Sequence, residues 1–519
     1  MARSKFGKKA SIATDYGDAD TRNYEAFPAW SMPLDEQFRQ LAFNGIIAHQ
    51  FYCSEDEILR RGMGIIDKFV KENPAKALEI AATARNEGFI RSVNITTLAK
   101  ASTSTGAFKE YFDKIVLTPR DMVQFIDVMR ASRGLGRAIK ETMNKWVAAK
   151  LDEFWAIKYR NQLQDSIRLG HAKFDDEAKA MLADYVMENG EQAKRDAIVA
   201  RFPAINAVEM LKRINPLVDE GRAIDLITAA RLDWNVVKGI FHPTPDIWKA
   251  LAEQMSAIAL VQNIASIERN AGADFALDIV KRKVTAEFLR RGKVFPFTLA
   301  QAYMHVNDRA LKSAIGKVLD SLALAHDFSK LGRVAVCPDV SGSMTSPSFI
   351  NIVMQRASGK GGKGDIPEGS MHVPIQVAAM IAGILAGATR DSRLLAWDTE
   401  VMDERALFGK DKEWRTPTRI MERLMRITGG GTFMEAPVKY LVEHRVDVDT
   451  FVLVTDSEEW GEGWLAYWKK YKQSHKAARA FLVRVDLYPT RPFGGDDCER
   501  LGITQIYGFS EMAFKVMLQ

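Results

Sequence analysis

Between about residues 33 and 325, apolar side chains recur three and four places apart, as in Leu34, Phe38, Leu41 and Ile46 or in Ile139, Met143 and Trp146. That spacing gathers them on one stripe of an α-helix. Turn formers interrupt the pattern repeatedly, at Asn73-Pro74, Thr118-Pro119, Asn189-Gly190, Asn215-Pro216, Pro243 and Pro245 among other places. Long strand-like alternation is absent. Many short helices joined by small turns predict helix pairs stacked as a solenoid, although no crisp internal repeat marks the units.

The pattern changes near Leu331. RVAVCPDV, SRLLAWD, DTFVLVTD and ARAFLVRVD are short runs rich in Val, Leu and Ala, bounded by Gly, Asp or Pro. Helical periodicity returns between them, over Pro374 to Ala388, Thr418 to Arg426, Met434 to His444 and Trp464 to His475. Buried apolar strands alternating with helices predict a parallel, doubly wound α/β sheet. The polar stretch HDFSKLG sets the boundary around 325–332.

Charge divides the chain at the same place. The net charge is +6, yet residues 331–519 carry 24 Lys+Arg against 24 Asp+Glu, so the whole excess precedes them. Residues 130–173 alone hold ten basic and four acidic side chains, again +6. One concentrated basic zone predicts an anionic partner. The three cysteines, Cys53, Cys337 and Cys498, are far apart and form no CxxC pair, which supports neither a zinc ribbon nor a disulfide framework and fits a reducing compartment. The start of the chain is polar, lacks an apolar core segment and includes Asp15, Asp18 and Asp20; it reads as a disordered tail over 1–25 rather than a secretory signal. The run Val377 to Ala388 is too short to span a bilayer. A cytoplasmic protein without a membrane partner is expected.

CPDVSGSM, Cys337 to Met344, follows the first strand run and places Asp339, Ser341 and Ser343 at alternate positions. In open α/β sheets, sites form outside the carboxyl ends of the strands. Asp456 leaves the end of FVLVT, and Thr432 lies in the Gly-rich GGGTFMEAP. These five oxygen-bearing side chains, with no nitrogen or sulfur among them, suit Mg²⁺ or Mn²⁺. The competing structural reading makes Asp339 a helix N-cap and the serines turn formers. The order Asp-x-Ser-x-Ser, Thr, Thr-Asp resembles the metal-ion-dependent adhesion site of von Willebrand factor A domains. No GxxxxGK[ST] loop, G-x-S-x-G elbow or HExxH pair occurs, so no catalytic set supports an enzyme such as a nuclease or ATPase. The Gly/Lys stretch Arg356 to Ser370 reads as a flexible loop.

Within the basic zone, a helix beginning near Gly134 would line Ile139, Met143, Trp146, Val147, Leu151 and Phe154 along one face. Arg133, Arg137 and Lys140 would share another. Lys158, Arg160, Arg168, His171 and Lys173 form a second cluster. Cations repeated along a helix match a polyphosphate better than a single carboxylate, and His171 can donate to phosphate or stack on a base. A solvated basic face is the plainer alternative.

Five stretches in order carry a wider likeness: Leu34 to Glu57, Arg133 to Trp146, Lys158 to Lys173, His242 to Ile264 and the DVSGSM region. Together they resemble the Ro autoantigen family of TROVE-module RNA-binding proteins over roughly residues 30–519. The resemblance implies a HEAT-like helical ring over 26–328 and a von Willebrand factor A domain over 329–519. It implies binding of small, Y-like non-coding RNA on the outer ring surface and of single-stranded 3′ ends of misfolded RNA in the hole. It also implies RNA quality control by a ribonucleoprotein to which an exoribonuclease is tethered through RNA. By motif match, the family's RNA-contacting patch falls on Lys158, Arg160 and His171, with Arg168 and Lys173 beside them; Arg133, Arg137 and Lys140 correspond by segment only. A monomer is expected. The second functional reading is a metal-dependent protein-binding module, in which a partner's Asp or Glu completes the coordination of the metal.

Overall fold

The computed structural model describes residues 19–45, 55–88, 90–188, 192–345, 374–411, 413–427, 429–458, 463–507 and 512–519. The expected loop at 356–370 and most of the expected tail lie outside them. The chain divides into two compact units, Ile66–Val318 and Met1–Ile65 with Leu319–Gln519.

Among the described residues of Ile66–Val318 every regular element is helical. Those that matter below are α1 (Pro74–Asn86), α2 (Thr105–Ile115), α3 (Pro119–Ser132), α4 (Arg137–Lys150), α5 (Glu153–Lys158), α6 (Arg160–Gly170), α7 (Pro203–Leu211) and α8 (Trp234–Ile240). Most helices pack on others within three places along the chain, as in a helical stack. Phe108, Phe112 and Phe125 interlock α2 with α3, their ring centroids 5.3–5.9 Å apart. The helix starts follow from local chemistry. At the start of α3, Thr118 and Asp121 form a reciprocal capping box with Pro119 in the first turn. Asp121, fully buried, also accepts from Arg85 on α1 at 2.9 Å.

The second unit holds a five-stranded, all-parallel sheet built from β1 (Val334–Pro338), β2 (Ser392–Leu394), β3 (Thr450–Thr455), β4 (Arg479–Arg484) and β5 (Ile503–Tyr507), in the order β5-β4-β3-β1-β2. Four strands fall within the apolar runs of the sequence; β5 was not anticipated. Helix Pro374–Ala388 packs on β1, β2 and β3 and is buried almost throughout. Trp397, Phe451, Trp464 and Trp468 belong to another core cluster of the unit.

Residues 26–65, which the resemblance assigns to the helical ring, lie in this unit. Pro28–Ser31 pairs antiparallel with Thr490–Arg491 and with Thr21–Arg22. Helix Leu34–Asn44 packs on β5, giving cover to an edge strand that would otherwise be a template for aggregation. Gln40 and Asn44 fasten that helix by donating to the Asp486 carboxylate and carbonyl at 2.9 and 2.8 Å.

Candidate metal centre and nucleic-acid interface

The carboxyl ends of β1 and β3 deliver Asp339 and Asp456 side by side in the sheet order. Asp339 is fully buried; its Oδ1 accepts from the Ser341 backbone N–H at 2.8 Å, and Ser341 Oγ lies 3.2 Å from Ser343 Oγ. Ser343 in turn donates to Asp456. Thr432 is brought up by its glycines. Gly342 N–H donates to the Gly430 carbonyl at 2.9 Å, and Gly429 lies so close to Val340 that a Cβ there would stand 1.9 Å from the Val340 carbonyl oxygen. Only glycine permits that approach. All five predicted oxygen-bearing side chains are buried. Four are linked by hydrogen bonds, and the fifth sits on the loop locked against them.

Burial pushes the Asp339 carboxyl up to about 6, with the Asp398 charge adding to it and hydrogen bonds from Thr455 and Ser341 opposing it. Asp456 is raised well above the carboxylate range by burial and then by Asp339. Two buried, neighbouring carboxylates raise each other's proton affinity, and a divalent cation relieves that repulsion. Among the described residues, no group of three or more His, Cys, Asp or Glu is arranged to hold a metal. An ion here would therefore rest on two carboxylates and three hydroxyls, a hard and weakly charged donor set that fits Mg²⁺.

Three residues of this region had no role assigned from the sequence. Thr455 Oγ1 donates to Asp339 Oδ2 at 2.6 Å. Asp398, after Trp397, accepts from Gly430 N–H at 3.0 Å and so anchors the Thr432 loop. Glu458 is fully buried; burial and then Asp456 push its carboxyl up to about 9. Asp398 had a signal, since it ends one of the apolar runs. The burial of Glu458 had none: it follows from the N-terminal segment, whose Tyr24 N–H donates to it at 2.8 Å.

The basic zone spans α4, α5 and α6. On α4, Ile139, Met143, Trp146 and Val147 are buried as expected, and Leu151 after it is too. Phe154 is not; it is 48% exposed. The helix stops at Lys150, and Asp152 caps a new one by accepting from Trp155 N–H at 2.7 Å, which resets the phase. Arg133 likewise lies outside α4, at the end of α3, and donates to Ser102 Oγ at 2.8 Å; it shares no helical face with Arg137 and Lys140.

The cations fall into two classes. Lys158 and Arg160 are half-buried and paired, Lys158 with Asp233 at 2.8 Å and Arg160 with Glu188 at 3.1 Å. Arg137, Arg168 and Lys173 are exposed and Lys140 half-exposed. His171 caps α6 in the left-handed conformation, φ 56°, and is also exposed.

Three comparisons with known proteins bear on this geometry. Residues 365–519 match the family described as the Ro60 vWA domain, a span that takes in Thr432 and Asp456 and begins after Asp339, Ser341 and Ser343. A curated relative, the RNA-binding protein RO60 of Deinococcus radiodurans, is 22% identical over 508 residues, covering 91% of this chain and 90% of the relative. The crystal structure of the Deinococcus radiodurans RO (RSR) protein superposes with a TM-score of 0.60 at 19% identity, over 93% of this chain and 98% of that one. Residues 365–519 thus match the Ro60 vWA domain family, and the chain shares the fold of the Deinococcus protein over nearly its whole length.

Proposed function

We propose that this chain is an RNA-binding protein that holds small structured RNA through the basic zone of α4 to α6. The observation that carries the reading is the group of exposed cations, Arg137, Arg168 and Lys173, in the segment that holds the chain's entire net charge. The name of the Deinococcus relative agrees with it. Affinity comes from neutralising phosphates, and specificity from RNA shape and a free single-stranded 3′ end. On this reading the helical part is the HEAT-like ring of the Ro family, its RNAs are Y-like and misfolded non-coding RNAs, and an exoribonuclease joins through the RNA in the cytoplasm. The protein performs no catalysis itself.

The donor set at the sheet edge supports a second role. Asp339, Ser341, Ser343, Thr432 and Asp456 would hold Mg²⁺, which supplies a coordination position for an acidic group of a partner protein. The two roles separate by mutation. Arg168→Glu with Lys173→Glu should weaken binding of a structured RNA with a 3′ tail by about tenfold or more at moderate salt, while Asp339→Ala leaves it unchanged. RNA affinity indifferent to the double reversal would refute the placement.

A further inference from the structure

Helix α5 breaks the local packing pattern of its unit: it touches α7 and α8, well ahead in the chain. A groove of about 350 Å³ opens where they meet. Arg120, Lys158, Arg160 and Lys212 line it, and among its described lining residues there is no carboxylate. Asn235 offers an amide, and apolar side chains of α7 and α8 complete the walls. Tyr185 contributes a ring over which the Arg160 guanidinium lies at 4.5 Å. Burial pushes its hydroxyl up to about 12, so it remains a neutral donor.

Three of the four cations are held by acids that stand outside the lining. Asp233 takes Lys158, Glu188 takes Arg160, and Glu209 takes Lys212 at 2.6 Å. Arg120 is exposed and, among the described residues, forms no ion pair with a carboxylate. Phosphate donors, an amide, an aromatic ring and apolar walls in one nucleotide-sized groove match a strand segment with its base better than they match a bare anion.

We infer that this groove is a subsite for single-stranded nucleic acid, and that Asp233, Glu188 and Glu209 are internal competitors occupying the places of its phosphates. The inference rests on the RNA-binding reading above and adds Arg120 and Lys212 to it. A bound strand exchanges carboxylates for phosphodiesters on the same cations. Only a ligand that replaces several at once gains from the exchange, which disfavours isolated phosphates.

The test measures fluorescence anisotropy of a labelled single-stranded oligouridine decamer with the full chain. Asp233→Asn keeps the N-cap of α8, since asparagine accepts from the Asn235 N–H equally well, but releases Lys158. It should tighten binding about threefold, and Arg120→Ala should weaken it about fivefold. Circular dichroism of both variants should match the wild type. If neither variant changes affinity while Arg168→Glu with Lys173→Glu still weakens it, the RNA reading stands and the groove does not. If the wild-type chain binds neither the decamer nor structured RNA, both fall. Displacement of the decamer by inorganic phosphate at constant ionic strength, at concentrations matching the decamer's own affinity, would assign the groove to a free anion and overturn the inference.

Discussion

Gly429 shows how a single hydrogen atom in place of a methyl group positions a candidate ligand. A Cβ at this position would meet the Val340 carbonyl oxygen at 1.9 Å, so Gly429→Ala must move the Thr432 loop or the Asp339 loop. It should lower stability by about 1–3 kcal/mol in urea titrations, and remove any Mg²⁺-dependent rise in melting temperature that the wild type displays. Asp449 carries a pH signature. Hydrogen bonds from the Arg333 side chain and backbone hold its carboxyl down to about 2, below the ordinary 3.8. Its contribution to stability is therefore complete above about pH 4 and disappears as pH falls through about 2. Urea midpoints at pH 5 and pH 2.5 should show Asp449→Asn less stable than the wild type at the higher pH and the gap narrowing at the lower. A gap independent of pH would remove this ion pair from the account.

At the scale of elements, the chain's own punctuation was a sound guide where caps are local. Thr118-Pro119 opens α3 as read, and the four expected inter-strand helices lie within a residue or two of their observed bounds. It failed where one polar residue resets the helical phase, as Asp152 does before Phe154. It failed also where burial depends partly on remote chain: strand β5 reads as a mixed run, Ile503-Thr-Gln-Ile-Tyr507, and packs against helix Leu34–Asn44 as well as the nearby helices Gly495–Leu501 and Met512–Leu518. The metal candidates were legible because each follows directly from a strand end or a Gly-rich turn. Thr455 was not, since its bond to Asp339 appears only when β1 and β3 are neighbours, nor was Glu458, whose burial involves the N-terminal segment. Asp121 binds two elements at once. It accepts from Arg85 on α1 and from the Leu117 and Thr118 N–H groups at 3.0 and 2.9 Å, with no exposure to water. Asp121→Ala leaves a buried guanidinium unmatched and should cost about 3–5 kcal/mol in chemical denaturation. A loss under 1 kcal/mol would mean that water replaces the carboxylate.

For the whole molecule, the decisive feature is charge placement. A net +6 is too small to bind anions indiscriminately, but it is concentrated: residues 331–519 are neutral and residues 130–173 carry the surplus. The structure refines the count. Lys158 and Arg160 spend part of their charge on Asp233 and Glu188, whereas Arg137, Arg168 and Lys173 face solvent. Reversing Lys158 or Arg160 would disturb these ion pairs as well as any RNA contact, so the exposed cations give the cleaner test. The most direct measurement is the dependence of RNA affinity on salt, for the wild type and for Arg137→Gln, Arg168→Gln and Lys173→Gln combined. RNA binding through this zone predicts a linear fall of log K with log salt, and a slope shallower in the triple variant by about two to three. Equal slopes for the two proteins would contradict it.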